Sequence, residues 1–407
     1  MRTFDDIKRE IENDVLTLLA TEADAGDEMV FECIDESILR ASTRYPLSIE
    51  EKLLIRKNLF NRIRRYDILQ DFIEDESITE IMVNGTDEIF IERSGRLYST
   101  GKHFDDTQRL MDIIGRIASG VNRVVNISSP IMDARLPDGS RVNVVLPPIA
   151  LNGPVLTIRR FPDKAITDED LIEYGSCSRE VFTFLKRLVY AGYNILISGS
   201  TGAGKTTFLN VLSNYIPKNE RIITIEDSAE LQIKNIDNLV RLEARKSNNE
   251  GSKAISIRDL IRTSLRMRPD RIVVGEVRGE EAIDMLQAFN VGQDGSLSTI
   301  HANSAADALL RLETMIMLNT DIPLAALRRQ IVSGVDILIH LGRLRDKSRR
   351  LLEIREVTGL DNDNIKTSLL YEFAEEDEKD GRIIGDHIKK NTIVSKEKLI
   401  RAGINEI

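Results

Sequence analysis

One eight-residue stretch constrains this chain more than any other: Gly199-Ser200-Thr201-Gly202-Ala203-Gly204-Lys205-Thr206, followed by Thr207. It fits G-x-x-x-x-G-K-[ST] and stands between a strand-like run, Asn194 to Ser198, and a helical stretch from Thr206 to Tyr215. Strand, tight loop and helix in that order make a phosphate cradle. The glycines let main-chain N–H groups approach a polyphosphate where a Cβ would clash or forbid the backbone angles. Lys205 is placed to neutralise β- and γ-phosphate charge, and Thr206 to hold Mg²⁺.

The surrounding rhythm agrees. Short apolar strands, NILIS, RIITIED, RIVVGEV and LSTIH, alternate with helical segments, which predicts an α/β domain with a mainly parallel sheet over 177–407. In such sheets ligands sit at the carboxyl ends of the strands. Glu276 ends one strand and is a candidate to orient and deprotonate an attacking water. Glu226 and Asp227 end another, with Glu230 a turn later, an acidic cluster able to meet Mg²⁺-bound waters. Each alone also reads as a helix cap or a solvated loop; beside the phosphate loop the chemical reading takes precedence. His301 ends a further strand and is a candidate γ-phosphate sensor, with a structural histidine as the alternative; His103, His340 and His387 read as ordinary polar residues.

Upstream, residues 1–71 are charged and helix-friendly, with apolar positions at helical spacing (Ile7, Ile11, Val15, Leu18; Leu53, Leu54, Ile55, Leu59, Ile63), and predict a small helical bundle. Residues 72–162 alternate like strands around one helix (Leu110, Ile113, Ile114, Ile117), with turns at Ser94-Gly95 and Asp138-Gly139, and predict a compact α+β domain. The polar stretch 163–176 reads as a linker, and the acidic run Glu375 to Arg382 as a surface loop. Phosphoryl transfer needs arginines. Arg135, Arg141, Arg159 and Arg160 lie on the last strands of the α+β domain; they read either as phosphate ligands or as surface and interdomain ion pairs. Arg262, Arg266, Arg268 and Arg271 either reach a neighbouring subunit's nucleotide or solvate a helix face.

Composition narrows the rest. With 56 Lys plus Arg against 66 Asp plus Glu the formal charge is −10, and aromatics are 5% without tryptophan, which argues against a nucleic-acid groove and hence a nucleic-acid motor. The two cysteines, Cys33 and Cys177, exclude a disulfide framework and a four-thiolate zinc site. No apolar signal core opens the chain, and neither long uncharged run resembles a membrane span, so any membrane link is expected to be peripheral or through a partner.

Taken in order, GSTGAGKTT, RIITIEDSAEL, LRMRPDRIVVGEVRGEEA and GSLSTIHANSA closely resemble the Walker A, Asp, Walker B and His boxes of the secretion and pilus ATPase superfamily. The segments ITEIMVNG, DARLPDGSRVN and LTIRRFP look like its CpaF branch, the motors of tight-adherence pili. The resemblance implies a PAS-like α+β domain joined to a RecA-like P-loop domain, ATP and Mg²⁺ as ligands, and a homohexamer peripheral to the cytoplasmic face of the inner membrane, working on a pilus platform protein. It implies that Glu276 is the catalytic carboxylate, with Glu280 nearby; that Thr206, Glu226, Asp227 and Glu230 serve the metal; and that Arg141 and Arg159 reach the γ-phosphate with His301. The same boxes occur in type IV secretion and conjugation ATPases, which is the alternative reading. A scaffold that binds ATP without turnover is a further one, against which Glu276 and His301 speak.

Overall fold

The structure is a computed structural model that describes residues 3–20, 26–93, 95–160, 165–234, 236–245 and 253–404. Its contacts divide into two units, Met1–Asp163 and Lys164–Ile407.

The first unit begins with three helices, α1 (Phe4–Leu19), α2 (Asp27–Ser42) and α3 (Ile49–Arg64). Capping boxes start α1, between Thr3 and Asp6, and α3, between Ser48 and Glu51, each satisfying otherwise orphaned amides. Their facing stripes, Ile11 and Val15, Val30 and Ile34, Ile55 and Leu59, make one small core. A short helix α4 (Gln70–Glu74) leads into β1 (Ile78–Asn84), β2 (Glu88–Arg93) and β3 (Arg96–Ser99). Helix α5 (Thr107–Gly120) and strands β4 (Ile131–Arg135), β5 (Arg141–Val145) and β6 (Val155–Arg159) follow.

These six strands form an antiparallel sheet in the order β3-β2-β1-β6-β5-β4. Alternation sends Ile81, Val83, Val142, Val144, Leu156 and Ile158 to one face, where Leu110, Ile113, Ile114 and Ile117 of α5 cover them in a second core. The Asp138-Gly139 turn is present, with Gly139 at φ 92° and Asp138 accepting from the Ser140 N–H at 2.9 Å. Ser94 of the other expected turn, Phe161 and Pro162 at the expected domain end, and 163–164 at the start of the expected linker lie outside the described residues.

In the second unit, α6 (Asp168–Glu173) occupies the stretch expected as linker; its capping box joins Thr167 to Asp170, and Leu171 is buried in the core. The chain continues through α7 (Arg179–Tyr190), β7 (Ile195–Gly199), α8 (Lys205–Ser213), β8 (Arg221–Glu226), β9 (Asn238–Glu243) and α9 (Ile257–Ser264). Next come β10 (Arg271–Val277), α10 (Ala282–Asn290), β11 (Leu297–His301), α11 (Ala305–Met317) and α12 (Leu324–Gly334). Strands β12 (Ile337–Arg343), β13 (Arg349–Asp361), β14 (Asn364–Lys379) and β15 (Arg382–Lys389) and helix α13 (Glu397–Arg401) complete it.

The nine-stranded sheet runs β15-β14-β13-β12-β7-β11-β10-β8-β9, parallel from β12 to β9 and antiparallel from β12 out to β15. Helices cover both faces of the parallel part, so β7, β8, β10 and β11 are buried on both sides, which is why they read as continuous apolar runs.

The acidic run is not a loop. Lys379 pairs with Arg382 across Asp380 and Gly381, at φ 52° and 70°, the two-residue turn that a twisted hairpin favours. Arg345 offsets the charge by donating to Glu375 at 2.6 Å and to Glu378 at 2.8 Å. The tail beyond Phe373 has a structural role: Ile393 and Leu399 are buried, Glu356 accepts from the N–H groups of Val394 and Ser395, and Lys398 pairs with Asp336 at 2.7 Å.

Candidate functional site

The phosphate loop links β7 to α8, and its glycines are required by the local geometry. A Cβ on Gly199 would lie 2.5 Å from the Leu341 carbonyl oxygen of β12. Gly202 and Gly204 sit at φ 75° and 92°, where L side chains are strained. Gly204 is the N-cap of α8 and no side chain caps that helix, so its first amides remain available to an anion.

Strand register brings the chemistry to this loop. His301, the last residue of β11, pairs with Gly199 of β7, and β10, which carries Glu276, is the next strand over. Lys205, only 7% exposed, donates from Nζ to the Ser200 carbonyl and to His301 Nδ1, both at 3.2 Å. An ammonium only donates, so Nδ1 accepts and the neutral ring carries its proton on Nε2. That nitrogen faces Glu276 Oε1 at 2.5 Å, although off the alignment of a hydrogen bond, and Oε1 has no other partner. Glu276 Oε2 accepts from Arg278 Nη2 at 2.7 Å and Nε at 3.0 Å.

The electrostatics follow from crowding. Burial lowers the Lys205 pKa, partly offset by Glu276. Burial, then Lys205, lowers that of His301, which favours the neutral ring. Glu276 therefore stands among Lys205, His301 and Arg278 at the carboxyl ends of three adjacent strands.

The acidic box divides. Glu226 is 3% exposed; its Oε2 accepts from the N–H groups of Glu230 and Leu231 at 2.7 and 2.9 Å, and burial raises its pKa. Its Oε1 is buried without a hydrogen-bond partner. Gly275 opposite makes room, since a Cβ there would come within 3.1 Å of Glu226 Cγ. Asp227 is half-exposed, with Oδ2 3.7 Å from Arg278 Nη1. Among the described residues no three His, Cys, Asp or Glu side chains gather as a metal cage. Thr206, Glu226, Asp227 and Glu230 offer hydroxyl and carboxylate oxygens, the donor class of a hard cation such as Mg²⁺, and Glu226 Oε1 is buried with no hydrogen-bond partner.

In the first unit Arg141 and Arg159 are direct cross-strand partners on β5 and β6, with Arg135 opposite Arg141 and Glu80 opposite Arg159. Like charges in register are destabilising by themselves, and Glu80 opposite Arg159 offsets part of the row. Arg160 has a different role: its guanidinium donates to the carbonyls of Asp75 and Ile78. Of the second arginine group, Arg262 pairs with Asp284 at 2.7 Å, and Arg271, 2% exposed, is buried against Glu220 and the Val189 carbonyl, so it neither solvates a helix face nor reaches outward. Glu280 pairs with Arg258 at 2.9 Å.

Sequence reasoning passed over Arg278 and Glu281. Period-two alternation at the end of β10 puts 276 and 278 on one side, which is the signal that finds the first. Glu281 Oε1 accepts from the N–H groups of Arg278 and Gly279 and shapes the turn after the strand; nothing local in the sequence marks it.

A family model described as Type II/IV secretion system protein matches residues 64–397. Protein MJ0781 of Methanocaldococcus jannaschii is 42% identical over 278 residues, 66% of this chain and 38% of that protein, so the match spans well under half of that relative's length. The type IV secretion system protein PtlH of Bordetella pertussis is 34% identical over 321 residues, 72% of this chain and 94% of its own. The structure of the Yersinia pseudotuberculosis ATPase DotB shares the fold, at TM-score 0.55 and 19% identity over 72% of this chain and 79% of that one. The α/β architecture expected from the resemblance therefore holds. The relatives favour type IV secretion over the tight-adherence pilus branch.

Proposed function

Since the chain belongs to the Type II/IV secretion system protein family, we propose that it is an ATP hydrolase that powers a type IV secretion or conjugation machine. The observation that carries this is the contact series Lys205, His301, Glu276 at the mouth of the phosphate loop. Loop amides and Lys205 bind the β- and γ-phosphates. Glu276 takes the proton of the attacking water as its oxygen bonds to the γ-phosphorus, and the bond to the ADP oxygen breaks to leave ADP and phosphate. Neutral His301 accepts from Lys205 at Nδ1 and sets its Nε2 beside Glu276 Oε1, so it stands between the lysine that holds phosphate and the carboxylate. Bound Mg²⁺, held through Thr206 and the acidic box, would offset phosphate charge. Arg141 and Arg159 contribute cationic donors to the γ-phosphate.

The working form in this reading is a homohexamer at the cytoplasmic face of the membrane, acting on a membrane-embedded partner; among the described residues no helix is long and apolar enough to cross a bilayer. A pilus motor is the second reading, favoured by ITEIMVNG, DARLPDGSRVN and LTIRRFP. Variant kinetics test the assignment. Lys205→Ala is expected to lose ATP binding and turnover together. Arg141→Ala or Arg159→Ala is expected to lower kcat about tenfold or more while ATP affinity stays within about threefold, because their contribution arises as charge develops. Equal losses of kcat and affinity, or none, would contradict the arginine roles; wild-type turnover in Lys205→Ala would contradict the site.

A further inference from the structure

Arg278 lies one residue beyond the end of β10, and its fork takes the lone pairs of a single carboxylate oxygen: Nη2 at 2.7 Å and Nε at 3.0 Å from Glu276 Oε2. A guanidinium is planar and rigid, so two bonds to one oxygen restrict rotation of the carboxylate in a way that a single donor does not. The root of the fork is held as well, because Glu281 Oε1 accepts from the backbone N–H of Arg278 at 2.5 Å and from that of Gly279 at 3.0 Å. The third nitrogen, Nη1, is 3.7 Å from Asp227 Oδ2. As a result the other oxygen, Oε1, is turned inward, shielded from solvent, beside His301 Nε2 and without an aligned donor.

We propose that Arg278 is the positioning residue of the hydrolytic base: it anchors Glu276 by Oε2 so that Oε1, the oxygen with an uncommitted lone pair, is the atom that accepts the proton of the attacking water. The inference rests on Glu276 being that base. Arg278 acts through the carboxylate that it holds. Its side chain is 59% exposed, so its removal leaves the fold intact.

The test is steady-state kinetics with nucleotide binding for the full chain, Arg278→Ala and Arg278→Lys, and for Arg278→Ala placed in a Glu276→Asp background, whose shorter side chain withdraws from the fork. Arg278→Ala is expected to lower kcat about 10- to 100-fold with KM and ATP affinity within about threefold, the scale of a misplaced reacting group. Arg278→Lys is expected to recover at least about fivefold of the loss. In the Glu276→Asp background the same truncation is expected to cost under about threefold, since the interaction is already gone. An equal kcat loss in both backgrounds, a rise in KM with kcat intact, or an unchanged kcat would overturn the proposal. Absent wild-type turnover, or Glu276→Gln at the wild-type rate, would overturn the base assignment and the proposal together, and those two controls separate that failure from the others.

Discussion

Glu276→Gln is expected to lower kcat for ATP hydrolysis about 10²- to 10³-fold, equivalent to roughly 3–4 kcal/mol of barrier, while ATP binds as tightly as before or slightly more so. The substitution preserves volume and leaves a carbonyl oxygen to accept from Arg278, so the turn after β10 keeps its shape. What it removes is the charge and the capacity to take a proton. Glu276 is also the carboxylate that acts on Lys205 and His301 among the described residues, and its neutralisation relieves repulsion of an incoming phosphate. Binding and turnover should therefore separate in one variant. Phosphate release and equilibrium titration with ATP measure them; a kcat within about threefold of wild type would move the base elsewhere.

The second large effect is on stability. Arg271 opens β10 and is 2% exposed. It donates to both oxygens of Glu220, to the Val189 carbonyl at 2.5 Å and to that of Tyr190 at 3.5 Å, tying the start of the strand to the end of α7. The packing is tight: a Cβ on Gly295, which is at φ 83°, would collide with the guanidinium. Arg271→Ala removes one partner of the Glu220 pair and the arginine's bonds to the Val189 and Tyr190 carbonyls, of which the first keeps the Gly192 N–H at 3.1 Å, at a cost of about 3–5 kcal/mol. For a unit of this size that corresponds to a fall in Tm of roughly 6–20 °C. Thermal or urea denaturation measures it, and a loss below about 1 kcal/mol would show that Arg271 is replaceable.

Legibility followed the range of the interactions. The phosphate loop is a local strand–turn–helix device, and glycine, lysine and threonine at fixed offsets announce it. Glu276 and His301 were legible for a related reason: in a parallel sheet the strand ends form one edge, so a polar residue closing an apolar run is aimed at the ligand. What stayed hidden depends on partners far along the chain. The environment of Arg271 comes from residues about eighty positions upstream at α7 and about fifty at Glu220, so a basic residue before a strand reads as surface. Glu226 looked like a free ligand, yet one of its oxygens holds the turn at Glu230 and Leu231. The pairing of Arg141 with Arg159 is a matter of register between β5 and β6, with β6 in turn flanked by β1. At 375–382 the charge density concealed an Asp-Gly turn signal that was present in the sequence.

Steady-state Mg²⁺-dependent ATP hydrolysis across a protein concentration series tests the central claim most directly. The proposed ring motor predicts specific activity that rises with concentration to a plateau and is absent when Mg²⁺ is chelated. No turnover at any concentration, or turnover indifferent to Mg²⁺, would contradict it.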